Sequence, residues 1–166
     1  MIEMENDMDN KRVEKLKKNY ALEAHPEGGW FSECYTSTDK KEDRPLAGSI
    51  YFLLIEDDLS HFHQIDCEEI WYHHEGCAVK ITVIADGKIE ELLLGRDIEN
   101  GEMAMVVIPK GAIFAAENLD KDSYCFMSCA TAPKFTYDGF RLVGQKEIRD
   151  ICGKDAQSIL YLAYED

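Results

Sequence analysis

Apolar and polar positions change their period once along this chain. Over residues 9–22 Val13, Leu16 and Tyr20 recur at helical spacing behind an Asp/Asn start signal, which predicts one short amphipathic helix. His25-Pro-Glu-Gly-Gly29 interrupts that pattern. Beyond it the sequence breaks into short apolar or alternating runs at 30–35, 49–55, 61–65, 70–74, 79–85, 89–94, 103–108, 113–116 and 124–131, each read as a strand. Asp86-Gly87 and Asn100-Gly101 read as hairpin turns, because a type I′ turn needs positive φ at both central residues. Nine short strands without helical patterns between them predict an all-β antiparallel sandwich or barrel rather than a βαβ sheet. Residues 146–164, with Ile148, Ile151, Ile159, Leu160 and Leu162, predict a closing helix. The expected organisation is one domain over residues 1–166: a helical segment to 24, a barrel over 25–143, and a C-terminal helix from 144.

Length and charge narrow the function classes. A domain of 166 residues buries about 70% of the surface its unfolded chain exposes, enough for a core and an internal cavity. The net charge of −15 disfavours binding to phosphate backbones or anionic membranes, so nucleic acid and membrane surfaces are not expected partners. No basic, apolar leader opens the sequence and no apolar run reaches membrane-spanning length, so a soluble cytoplasmic protein is expected. Six cysteines at 34, 67, 77, 125, 129 and 152 form no Cys-x-x-Cys pair and are read as reduced, mostly buried thiols. Cys67 lies between the histidine pairs of the one concentration of reactive side chains, and Cys77 directly follows it.

That concentration is His61-Phe-His63-Gln-Ile-Asp-Cys-Glu68-Glu69-Ile-Trp71-Tyr-His73-His74-Glu-Gly76. Imidazole and carboxylate are the usual ligands for zinc, manganese, iron or nickel, and also the usual groups for proton transfer at neutral pH. On a regular strand His61 and His63 share one face, as do Glu69, Trp71 and His73, while His74 points the other way. An antiparallel hairpin would bring the two sets together, making His61, His63 and Glu69 a three-donor set for a divalent ion with open positions. A single strand histidine is equally a hydrogen-bonded structural residue, and Trp71 could be core or pocket lining.

Upstream, His25-Pro-Glu-Gly-Gly reads first as a tight turn, with glycines for the bend and proline fixing the entry. Along the following strand Glu33 and Tyr35 alternate in phase with Phe31, which would carry a carboxylate and a phenol into the barrel beside Tyr51 and Trp71. A buried Glu33 would need a partner or have a raised pKa, with Arg44 the nearest cation in sequence.

His61-x-His63, Glu69 and Gly76 resemble the first motif of the cupins, in which two histidines and a glutamate hold a metal inside a small jelly-roll barrel. Gly101 followed by Pro109-Lys-Gly111 is similar to the second motif, with Phe114 where that motif carries its metal-binding histidine. A closer likeness is to a cupin-like subfamily of unknown function, through His25-Pro-Glu-Gly-Gly-Trp30, Ser49–Leu54, Glu68-Glu69-Ile-Trp71, Pro109-Lys-Gly111, Ser128–Phe135 and Asp138-Gly-Phe140. The resemblance implies a cupin barrel, a small-molecule ligand and a homodimer, with a divalent metal in doubt because Phe114 replaces a ligand. It also implies a fold shared with sugar-nucleotide epimerases that use a histidine base.

Two functional readings follow. The first is an isomerase or epimerase acting on a small polar, sugar-like substrate, with His63 as proton acceptor, Glu69 as orienting carboxylate or metal ligand, and Tyr35 or Tyr51 as proton donor. Glu33, Tyr51, Trp71, His73 and Phe114 would line its pocket. The second is a non-catalytic small-molecule binder that keeps the barrel and its aromatic lining. A metal-dependent dioxygenase is a third and weaker reading, since it needs the ligand that Phe114 replaces.

Overall fold

All nine predicted runs are strands in the computed structural model, which describes residues 2–166 and side chains from residue 9 onward. Chain order is α1 (Ile2–Asn19), β1 (Glu23–Ala24), β2 (Trp30–Thr36), β3 (Lys40–Lys41), β4 (Arg44–Pro45), β5 (Gly48–Ile55), β6 (Leu59–Ile65), β7 (Glu68–Gly76), β8 (Val79–Ala85), β9 (Lys88–Leu94), β10 (Met105–Ile108), β11 (Ile113–Asn118), β12 (Tyr124–Ala132), β13 (Phe140–Leu142) and α2 (Gln145–Cys152). A six-stranded sheet runs β1-β2-β5-β12-β7-β10 and faces a five-stranded sheet, β13-β6-β11-β8-β9. The strand pairings within both are antiparallel.

Three apolar clusters account for the sequence pattern. Phe52, Leu54, Trp71, Ile81, Phe114, Met127 and their neighbours fill the space between the sheets. Phe62, Ile84 and Ile113 point from the outer face of the five-stranded sheet onto Val143, Ile148, Ile159, Leu160 and Leu162. Leu53, Tyr124 and Phe126 do the same on the six-stranded sheet, against Val13 and Leu16 of α1. Strands covered on both faces read as continuous apolar runs, which is why 49–55 and 124–131 do not alternate.

The turns and ends differ from expectation in three places. Asp86 and Gly87 take φ of 51° and 70°, as the expected β8–β9 hairpin requires. Asn100-Gly101, by contrast, is no hairpin turn: Ile98–Asn100 forms a 3-10 turn that Gly101 ends at φ 80°, and β9 and β10 belong to different sheets. The helix predicted over 9–22 begins at Ile2 and stops at Asn19, where Ala21 turns left-handed at φ 50°. The closing helix ends at Cys152, because Gly153 at φ 57° redirects the chain into 3-10 turns over Gly153–Ser158 and Leu160–Leu162. No helix of the described residues is long and apolar enough to cross a membrane.

The predicted pairing of 61–65 with 70–74 does not form. β6 pairs with β11 and β13, β7 with β12 and β10, so the two strands sit in opposing sheets and present their residues across the barrel instead of side by side. Arg44 braces the crossing between them. It donates two hydrogen bonds to the Asp66 carboxylate at 2.8 Å each and one to the Lys134 carbonyl at 2.7 Å.

Candidate functional site

One end of the barrel interior is not filled by the core. It opens as a cavity of about 550 Å³ whose walls include Phe31, Phe52, Trp71, Phe135 and Tyr137, with His25, Glu27, His63 and Glu69 among the polar lining. Glu27 is the carboxylate that reading the strands alone misses. It arrives from the His25–Gly29 loop, which closes on itself through Gly28 N–H to His25 O and His25 N–H to Gly29 O, both 3.0 Å. A Cβ on Gly28, at φ 108°, would lie 1.9 Å from the Leu59 carbonyl oxygen, so only glycine lets the loop press this closely onto β6. The Glu27 carbonyl then accepts from His61 N–H at 2.8 Å, and its carboxylate accepts from the Ser60 hydroxyl at 2.7 Å.

His63 is 2% exposed and held from two sides. Its Nδ1–H donates to the His61 carbonyl at 2.7 Å, which leaves Nε2 as the free nitrogen, 3.2 Å from Glu27 Oε2. Its ring leans on Phe114, centroids 4.1 Å apart. Burial lowers the His63 pKa, against the pull of the His61 carbonyl and the Glu69 charge. Burial likewise raises that of Glu27, partly offset by His25 and by the Ser60 hydroxyl. Both shifts oppose charging of the two groups, and at 3.2 Å a proton can be shared between Glu27 Oε2 and His63 Nε2.

Glu69 faces them from β7. It is 9% exposed, and its pKa is raised to about 7, first by burial, then by the nearby Glu27 charge, against the attraction of His63 and the proximity of the Trp71 indole. Beside it Trp71, 1% exposed, keeps its Nε1–H without a hydrogen-bond partner. A carboxylic acid titrating near neutrality, an N–H donor and a carboxyl–imidazole pair therefore converge on one apolar-walled space. Such a set can take a proton from one atom of a ligand and give one to another.

Other expected site residues stand elsewhere, and strand irregularities explain why. β6 carries one extra residue opposite β11: Phe114 pairs with His63 but Ala116 pairs with Ser60. This bulge puts Ser60 on the inner wall with His63 and turns His61 away, where Nδ1 shares the Glu27 carbonyl at 2.8 Å and the ring stacks on Tyr164 at 3.9 Å. A second bulge, in β2 between Glu33 and Tyr35, places Tyr35 opposite Ser49 and leaves it 54% exposed, outside the cavity. Glu33 remains at the cavity mouth, 2.6 Å from Lys134 Nζ, so Lys134 is its partner and Arg44 is not. Tyr51 lies on the outer sheet face, against Tyr20 and Phe126. His73 points inward beyond the cavity, Nε2 bonded to the Cys77 carbonyl at 3.1 Å, and Phe114 packs beneath His63 without lining the cavity. His74 bonds the Ser128 hydroxyl at 2.9 Å. Burial raises the thiol pKa of Cys67, to about 11, and of Cys77, so neither is poised as a thiolate.

The three donors expected to hold a metal do not fit one. His61 is turned off the inner wall, Phe114 supplies no donor, and the His63 nitrogen that faces inward is already opposed by Glu27. Among the described residues no group of three or more His, Cys, Asp or Glu side chains is placed to hold a metal ion.

Two facing antiparallel sheets enclosing a cavity at one barrel end are consistent with a cupin jelly roll. Oxalate decarboxylase of Bacillus subtilis, in its structure at pH 4.6, has this fold at TM-score 0.56 and 13% identity, over 86% of this chain and 37% of that one. The model of the family described as "Cupin superfamily (DUF985)" matches residues 14–143, and the chain belongs to that family. It is similar to protein SO0799 of Shewanella oneidensis (TM-score 0.87, 31% identity, 92% of this chain and 98% of that one). It is also similar to a hypothetical protein of Leishmania major (TM-score 0.83, 28% identity, the same coverages). Over 91% of this chain and 86% of the other it is 27% identical to the uncharacterized protein YML079W of Saccharomyces cerevisiae.

Proposed function

We propose that this protein is an isomerase-type enzyme that moves a proton on a small polar carbonyl compound held in the cavity. The observation that carries the reading is the 3.2 Å approach of Glu27 Oε2 to His63 Nε2, opposite a Glu69 whose pKa is raised to about 7. In this reading Glu69, as carboxylate, takes the proton from the carbon next to the carbonyl. The C–H electron pair becomes the C=C bond of an enediol as the carbonyl oxygen receives a proton from the Glu27–His63 pair. Trp71 Nε1–H donates to that oxygen while charge develops. Glu69 then returns its proton to the former carbonyl carbon as the hydroxyl on the adjacent carbon gives its proton back to the Glu27–His63 pair and becomes the new carbonyl, which completes the isomerisation. The base is thus Glu69, and His63 acts through Glu27, a different division of labour from the one expected of the strands. No step is routed through a metal.

The test is solvent deuterium incorporation, followed by NMR, across a panel of keto- and aldo-sugars and simpler hydroxy-ketones. Exchange at the carbon next to the carbonyl that disappears in Glu69→Gln supports the reading. A blank panel favours the non-catalytic binder, for which the aromatic wall is the supporting feature. We propose in addition a homodimer. Supporting it is the exposed apolar set of Met105, its cross-strand neighbour Tyr72, and Val107, on the free sheet edge at β10. Light scattering of the full chain and of Met105→Lys tests that assembly.

A further inference from the structure

The cavity is lined by four carboxyl groups, Glu23, Glu27, Glu33 and Glu69, against one ammonium, Lys134. That ammonium is engaged: Nζ lies 2.6 Å from Glu33 Oε2 and donates to Thr36 Oγ1 at 2.7 Å. The guanidinium of Arg44, which reaches the Lys134 backbone, is turned onto Asp66 and the Lys134 carbonyl. Burial depresses the pKa of both lining imidazoles, His25 and His63, so neither adds positive charge near neutral pH. A phosphate or carboxylate entering this space would find no unpaired cation and at least one carboxylate, in surroundings of low dielectric where repulsion is strong.

The walls point the same way. Phe31, Phe52, Trp71, Phe135 and Tyr137 present aromatic surface, whose negative π faces attract cations. Glu69 supplies a buried carboxyl group to the lining, and the indole of Trp71, close enough to oppose the rise of its pKa, carries a buried Nε1–H without a hydrogen-bond partner. Both are at least nine-tenths buried, so the complement of the site is a molecule carrying a donor cation and an acceptor oxygen close together.

We propose that the cavity takes a small organic amine bound as its ammonium, with a nearby carbonyl or hydroxyl oxygen accepting from Trp71 Nε1, and that it rejects phosphorylated and carboxylated compounds. The ammonium donates to one Glu69 oxygen and leaves the other free toward the adjacent C–H. The proposal rests on the proton-transfer reading for the place of the carbonyl and is independent of it for the sign of the charge. Ammonium binding favours ionised Glu69, so binding near pH 7 releases protons from the protein.

Calorimetric titration of the full chain at pH 7 tests it, with glucosamine, N-acetylglucosamine and glucosamine 6-phosphate as one matched set, and 1-amino-2-propanone, hydroxyacetone and 3-hydroxypyruvate as a smaller one. The amines are expected to bind at least tenfold more tightly than their uncharged counterparts, and the anionic members not measurably. The binding heat should vary with the ionisation enthalpy of the buffer in the sense of proton release. Glu69→Gln should lose at least tenfold in amine affinity while changing that of the uncharged member less than twofold, and Trp71→Phe should weaken both. Equal affinity for amine and uncharged members, or preference for an anionic one, overturns the proposal. If hydroxy-ketones exchange deuterium and no amine binds, the charge class is wrong and the proton-transfer reading stands. If amines bind with the stated preference and nothing exchanges, the catalytic reading falls and the ligand class stands.

Discussion

Glu27 Oε2 and His63 Nε2 lie 3.2 Å apart although one residue comes from a glycine-bent loop and the other from the strand beneath it. The loop therefore brings a buried carboxyl group to the imidazole, and the barrel supplies the surface on which it sits. Each part can be tested separately.

Stability should depend on pH through Glu69. Its folded-state pKa of about 7 stands above the 4.5 of an ordinary glutamate, so between these values the native state holds a proton that the unfolded chain has released. Stability from this group is fully present below about 4.5 and is lost as pH rises through 7, by about 3 kcal/mol in all. Glu69→Gln removes the ionisation, so urea denaturation should show the variant gaining on the wild type by about that amount between pH 4 and 8. A difference that stays constant with pH would mean Glu69 titrates normally.

Gly28→Ala should be among the costliest single substitutions in the molecule. The added Cβ meets the Leu59 carbonyl oxygen at 1.9 Å, at a φ of 108° that alanine tolerates poorly. We expect a loss of about 3 kcal/mol or displacement of the loop, together with loss of ligand binding as Glu27 leaves His63. Melting temperature and calorimetry on the same sample read both effects.

The two tyrosines in phase with the strand pattern should separate from function. Tyr35→Phe changes an exposed phenol beyond the bulge in β2 and should leave binding, exchange and stability unaltered within about 0.5 kcal/mol. Tyr51→Ala removes a ring packed at 4.5 Å on Tyr20 and 5.5 Å on Phe126, and should cost about 2 kcal/mol in stability with ligand affinity intact. Loss of deuterium exchange in Tyr35→Phe would return that residue to the proton path.

Metal should be dispensable. Dialysis against a chelator is expected to leave the melting temperature and any exchange activity unchanged, and elemental analysis to find zinc, manganese, iron and nickel below stoichiometric amounts. Stoichiometric metal that vanishes in both His63→Ala and Glu69→Ala would show that the donors rearrange around an ion.

Strand positions are legible in the sequence because burial on a sheet imposes a period of two, or a continuous apolar run where both faces are covered. Trp30, Ile50, Ile81 and Met127 all announce themselves in this way. The bulges are not legible, since a single extra residue in β6 or β2 leaves no mark in composition yet reverses which side chains point inward. That effect removes His61 and Tyr35 from the site and adds Ser60. Strand pairing is equally hard to read where Asp66 and Cys67 carry the chain from one sheet to the other, a crossing that resembles a hairpin turn on paper. Glu27 is hidden by its setting in Pro-Glu-Gly-Gly, which reads as bare turn chemistry. The available signal is that two titratable residues, His25 and Glu27, flank a proline beside glycines that allow close backbone approach.

The bulge in β6 sets how the inner wall can be altered. With His61 directed outward onto Tyr164 and Ser60 directed inward to Glu27, replacing residue 61 by any other side chain edits the outside of the barrel. Re-aiming it requires shortening the strand by one residue, which would carry Ser60 and Leu59 around with it and unseat the Glu27 loop. In this register the Glu27 carboxyl and an inward-facing pair of histidines at 61 and 63 compete for the same wall, and chain length in β6 decides between them.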